Sequence, residues 1–365
     1  MAFDEAHSES SLPVFMESLS FSNEHPPAPR LLPVQHLIFD ILEKEIPLKL
    51  LRVSKPLYSR IIPTIYKQVT LTNDNIVPFF QGLIIQKKQD GNGKTTFTLG
   101  ERKFKVLSHV ESITFIDRPT AEKFSKMMKL FANQVYHSSE SPMVLPSVVD
   151  VHLGTDLVDV LFTTFDDMTR PETISMMLSV WIPMFLFALG KHAQPSIISI
   201  DWPLEWSGDK DIDFWDEPGL PFAANSFFEK LIYFIKVKTV VINVSEFDLS
   251  SIWLSFMDED ENIEICINVY VAKETQNWML LHAILDHYKL VTYVGGNEER
   301  VIKNLEGRLM YVLPGRKGLS EQLDQECQEG KEYEEVMNKL KEMIVFRSND
   351  LADGEDGEVD SEEQD

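Results

Sequence analysis

VKTVVINV (237–244) and NIEICINVYV (262–271) are the two runs that decide the fold class of this chain. Both are short, dense in β-branched residues and apolar at their centres, which is the composition of a buried strand. Working outward, the same character returns at intervals. Strands are predicted at Ser112–Ile116, Val148–Leu153, Ile197–Asp201, Thr239–Val244, Ile263–Tyr270, Leu290–Val294 and Leu309–Val312. The stretches between them are longer and amphipathic. They predict helices at 119–136, 155–165, 171–192, 221–235, 249–257, 273–287 and 297–307. Regular βα alternation implies an α/β fold with a mainly parallel sheet.

The last strand-to-strand steps, roughly 25, 26 and 19 residues, lie near the leucine-rich-repeat period. The earlier steps are longer, and no ladder of leucines and asparagines recurs. An irregular leucine-rich-repeat-like solenoid is therefore the expected architecture over 72–347, with another open α/β sheet as the alternative. Residues 319–346 are expected to form one long polar helix. Its Tyr333, Val336, Met337, Leu340, Ile344 and Phe346 are placed to cap an open solenoid end.

Composition bounds what such a body can do. The 365 residues carry 34 basic and 58 acidic side chains, a net charge of −24, which argues against a nucleic-acid partner. With 44% hydrophobic residues the chain can bury a sizeable core. Cys266 and Cys327 cannot build a disulfide framework, and the first 30 residues have no basic stretch ahead of an apolar one. A reducing cytoplasmic or nuclear setting is expected. Residues 1–30, rich in Ser, Pro and Glu, predict a flexible leader. At the other end, 350–365 holds nine acids and no base, so 348–365 is expected to be a solvated acidic tail.

TISMMLSVWIPMFLFALG (173–190) runs 18 positions without a charge, the threshold for a membrane span. Pro183 near its middle and its place in the βα rhythm favour a buried helix, so no membrane association is expected. DGNGKTTF (90–97) ends like a phosphate loop, but Lys88 stands where the first glycine belongs and the following TTFTLGE is β-like. A hairpin turn is predicted. His282 and His287 are five apart, the wrong spacing for a zinc pair on one helix face. Cys266 lies within an apolar run, and no nucleophile elbow occurs. No catalytic residue, metal or cofactor is expected.

The N-terminal unit is more specific. From Leu32 to Ile62, apolar residues recur at spacings of three and four, with Pro47, Pro56 and Pro63 dividing three short helices. Leu32-Pro33, Leu37, Ile41-Leu42, Leu50-Leu51, Val53-Ser54-Lys55, Tyr58 and Ile61-Ile62 resemble the F-box. The continuation Pro63-x-Ile65-Tyr66-x-x-Val69-x-Leu71 is similar to the tail behind many fungal F-boxes. The resemblance covers 31–71. It departs in a short loop holding Pro47, and in Tyr58 where tryptophan is frequent.

This resemblance implies a Skp-type adaptor and a cullin–RING ubiquitin ligase as partners, with Leu32, Pro33, Leu37, Ile41, Leu42, Val53, Lys55, Leu57 and Tyr58 at or behind the adaptor interface. It implies no catalysis by this chain: the function is that of a substrate receptor whose repeat domain recruits a protein target, the target itself being unknown. The alternative is a repeat-based scaffold with no ligase contact. For the target surface, the candidate is the loop 201–219. There Trp202, Trp206 and Trp215 lie among acids that include Asp209, Asp211 and Asp213, a composition suited to a basic peptide.

Overall fold

A computed structural model describes residues 41–42, 45, 49, 54–87, 96–135, 142–158, 181–202, 219–245, 249, 252, 263–270, 277–294, 307–315, 318–329 and 334–347. The chain divides into two compact units, Met1–Ile61 and Ile62–Asp365. In the first, the backbone is helical at Ile41, Leu42, Glu45 and Lys49. Helix α1, Lys55–Tyr66, starts at its boundary because Ser54 caps it, its Oγ accepting from the Leu57 N–H at 3.4 Å. Pro63, expected to end this helix, lies inside it. Ile61, Ile62, Ile65 and Tyr66 carry the apolar spacing past the proline.

The second unit holds an eight-stranded sheet. Its members are β1 Gln68–Leu71, β4 Ser112–Phe115, β5 Asp150–Leu153, β6 Ile197–Asp201, β7 Thr239–Val244, β8 Glu264–Val269, β9 Leu309–Leu313 and β10 Ile344–Phe346. A separate antiparallel pair, β2 Ile84–Lys87 and β3 Thr96–Leu99, flanks the DGNGKTTF segment. Residues 88–95, where the hairpin turn was expected, lie outside the described residues. Helices α2 Ile76–Phe80, α3 Glu101–Leu107, α4 Arg118–Val135, α5 Ile182–His192, α6 Gly219–Ile235, α7 Asn277–Val294, α8 Leu319–Glu329 and α9 Glu334–Met343 complete the unit.

Strand order in the large sheet follows chain order, and every neighbouring pair is parallel. A doubly wound sheet reverses its order at a switch point, and this one never does. Parallel crossovers share one hand, so strands that always advance in one direction receive their connections on one face. Burial records the result. Leu71, Phe115, Leu153, Ile200, Ile242, Ile267 and Tyr311 stand opposite one another in register and are fully buried. Around them Phe115 meets Phe124 of α4 and Phe185 of α5 edge to face, at 5.1 and 5.2 Å between ring centres. Helices α5 and α6 approach so closely that a Cβ on Gly190 would lie 2.0 Å from the Phe234 carbonyl oxygen.

Three expectations need correction. Leu290–Val294 is not a strand but the last turns of α7. Buried Leu280, Ile284, His287 and Val291 continue one helical stripe, which overrides the β-branched composition at its end. The near-regular spacing of the last strands fails with it. The single helix expected over 319–346 is α8, α9 and strand β10, and Ile344-Val345-Phe346 pairs with β9. The segment Gln68–Leu71, read only as a tail of the N-terminal unit, is β1 and pairs with β4. Most of the expected helices at 297–307, 155–165 and 249–257 lies outside the described residues. Of 173–190, residues 182–190 belong to α5 with Trp181 just before it, and among the described residues no helix is long and apolar enough to cross a membrane.

Candidate functional site

Alternation along the strands leaves a second set of side chains on the face opposite the core. Ser112 and Thr114 of β4, Asp150 and His152 of β5, Ile197, Ser199 and Asp201 of β6, Val241 and Asn243 of β7, and Cys266 and Asn268 of β8 are all part-exposed. Parallel pairing in register places them in rows: Thr114, His152, Ser199, Val241 and Cys266 form one, and Asp201, Asn243 and Asn268 another.

These rows are linked. His152 Nε2 lies 2.7 Å from Asp201 Oδ2. The Asn243 amide donates to Asp201 Oδ1 at 2.9 Å, the Asn268 amide donates to Asn243 Oδ1 at 3.0 Å, and Arg347 donates to Asn268 Oδ1. Asn268 also donates to the Tyr270 hydroxyl at 2.6 Å, and the Arg347 guanidinium lies 3.8 Å from the centre of the Tyr270 ring. Carboxylates only accept and guanidinium groups only donate, so the two ends force the orientation of both amides between them. Beside this chain, Asp150 accepts from Ser112 Oγ and Ser199 Oγ, each at 3.1 Å.

The hydrogen bond to Asp201 raises the His152 pKa above its ordinary value, against part-burial, and the charges of Asp201 and Asp150 add to it. Burial opposes the charge of Asp201, but hydrogen bonds from His152 and Asn243 prevail and hold its carboxyl below the ordinary 3.8. A raised histidine contributes stability fully below 6.5 and loses it as pH rises through its folded value; a lowered aspartate contributes fully above 3.8 and loses it as pH falls through its own. The pair therefore acts in full between these limits. Changing Asp201 to Asn will bring the His152 titration, followed by NMR of its ring protons, down toward 6.5. An unmoved titration would remove Asp201 as the cause.

A serine, a histidine and aspartates on one face suggest hydrolytic chemistry, yet their bonding does not follow that pattern. Ser199 gives its proton to Asp150 rather than to an imidazole, and the Nε2 of His152 is spent on a carboxylate. What the arrangement offers is a pre-ordered polar surface. Among the described residues, no group of histidine, cysteine and carboxylate ligands could hold a metal ion. Cys266 faces this surface, with burial pushing its thiol pKa up.

Of the residues singled out in the sequence, Ile41 and Lys55 are exposed, Leu42, Leu57 and Tyr58 are half-buried, and Leu32, Pro33, Leu37 and Val53 lie outside the described residues. Trp202 is no surface anchor: it is 6% exposed, its ring stacks on Phe228 at 6.2 Å, and its backbone N–H donates to the Asn243 carbonyl. Trp206, Asp209, Asp211, Asp213 and Trp215 lie outside the described residues. In the basic run RKFK (102–105), Lys103 Nζ lies about 5 Å from the Tyr66 and Phe79 ring centres and donates to the Tyr66 hydroxyl at 3.3 Å, so it belongs to local packing. The face residues Asp150, His152, Ser199, Asn243, Asn268 and Arg347 were not picked out from the sequence. Their signal was the polar residue at every second position of the predicted strands.

Residues 29–71 match a family described only as a protein of unknown function, DUF3760. Neither the curated proteins nor the solved structures gave a match.

Proposed function

We propose that this chain is a substrate-receptor subunit of a cullin–RING ubiquitin ligase. In this reading, residues 31–71 are an F-box-like unit that docks on a Skp-type adaptor, and the α/β unit behind it is an irregular leucine-rich-repeat-like solenoid that holds the target. The observation that carries the reading is the sheet order. A parallel sheet that advances strictly in chain order covers one face with its connections and keeps the other for a partner. Ile41, an aliphatic residue of the F-box pattern that is 52% exposed, supports the adaptor side. The receptor would perform no bond chemistry; it raises the effective concentration of target lysines near a charged ubiquitin carrier. Such a subunit would work in the cytoplasm or nucleus. The target surface moves from the 201–219 loop to the polar sheet face.

The test is affinity purification of the full chain beside a version lacking 31–66 and the double variant Leu37→Asp/Leu42→Asp. Adaptor and cullin are expected with the parent and with neither variant, because two unpaired carboxylates at a desolvated interface cost about 3–5 kcal/mol. Circular dichroism should show the α/β unit intact in both. Equal recovery of adaptor with a folded double variant would refute the ligase assignment and leave the face serving a scaffold.

A further inference from the structure

We propose that Asp150 is the seat for a lysine or arginine side chain of the target segment that lies on the sheet face; this rests on that face being the target surface. The charges on the face are otherwise answered. Asp201 has His152 and an amide donor, and Arg347 has the Asn268 carbonyl oxygen and the Tyr270 ring. Asp150 has two hydroxyl donors, Ser112 on Oδ2 and Ser199 on Oδ1, and among the described residues no lysine or arginine pairs with it.

Two neutral hydroxyls aim a carboxylate without neutralising it. Each takes one lone pair, and each oxygen keeps another, enough for an ammonium or the fork of a guanidinium. Half-exposed Ile197 stands beside Asp150 in register on β6 and offers an aliphatic wall to the stem of such a side chain. His152, two residues along β5, is already engaged by Asp201. An acidic or apolar occupant would desolvate Asp150 with no partner for its charge, which is costly.

The experiment uses the full chain and a fluorescent peptide of alternating arginine and valine, read by anisotropy at about 0.15 M salt so that diffuse attraction to a chain of net charge −24 is screened. Asp150→Asn is expected to weaken binding about fivefold, the scale of a part-exposed ion pair. Asp156→Asn, an exposed aspartate outside the face, should leave it unchanged. Should Asp150→Asn unfold, Ser112→Ala with Ser199→Ala keeps the carboxylate but removes its aim, and about a threefold loss is expected. The seat is overturned if the parent binds no peptide saturably, if a glutamate–valine peptide binds equally, if Asp156→Asn costs as much, or if the folded variants bind like the parent. Adaptor recovery is scored on the same samples. A parent chain that recovers adaptor but binds no peptide saturably refutes the seat alone, and a parent chain that binds the peptide, with the expected weakening in Asp150→Asn, but recovers no adaptor refutes the ligase reading alone.

Discussion

Between pH 8 and pH 5, His192 and His287 will each withdraw about 2 kcal/mol of folding stability, measured by urea unfolding at the two pH values. Both rings are 2% exposed, and burial lowers each pKa from 6.5 to about 4. For His192 the neighbouring Lys191 charge adds to this, and a hydrogen bond to the Pro142 backbone opposes it. For His287 the hydrogen bond to Ile252 is the opposing influence. Because the unfolded chain takes its protons near 6.5 and the folded one only near 4, stability is full above 6.5 and falls as pH drops below it. Geometry explains why His287 resists a proton. Its Nε2 lies 2.9 Å from the Ile252 carbonyl, which can only accept, so that nitrogen carries the hydrogen. Nδ1 therefore accepts from the Tyr311 hydroxyl at 2.8 Å, and a second proton there would break this bond. The His152–Asp201 pair strengthens as pH falls toward 6.5 and offsets part of the loss. His287→Asn should lower stability throughout but remove about half of the pH dependence; an unaltered dependence would refute the assignment.

Gly190→Ala is expected to destabilise the fold by about 3 kcal/mol, at the upper end of overpacking, although alanine ordinarily favours a helix. The new methyl would sit 2.0 Å from the Phe234 oxygen and 3.0 Å from its carbonyl carbon. Both are backbone atoms, so no side-chain rotation relieves the clash and α5 must move away from α6. That movement would also disturb the edge contact of Phe187 with Phe234 at 6.2 Å. Thermal melting of Gly190→Ala beside Ala188→Gly separates the two effects, since the second weakens the helix without crowding the crossing. Equal melting of Gly190→Ala and parent would mean that the helices are not packed this closely.

The strands that could be read from composition are those where β-branched residues stand clear of any helical period, Ile197–Asp201 and Thr239–Val244 among them. Leu290–Val294 misled because β-branched residues at a helix end resemble a strand unless the stripe back to Leu280 is followed. Strand β10 was hidden for the converse reason: Ile344 and Phe346 fit the helical spacing of the segment before them. The polar face was less legible still. Asp150 and Ser199 are 49 residues apart, and only the β5–β6 register makes them neighbours. A single strand such as DVHL shows polar residues at alternate positions and gives no sign of which polar groups will face them from the next strand.

Strand order has a consequence in time as well as in space. A sheet whose neighbours follow one another along the chain can be laid down as the chain leaves the ribosome, each new strand finding the edge left by the one before it. Nothing made early must wait for a distant segment made late, which keeps the closing loops short and docking fast. The cost falls on the growing margin. At every stage of synthesis the newest strand exposes an unpaired row of backbone donors and acceptors, open to the matching margin of another nascent copy on the same messenger.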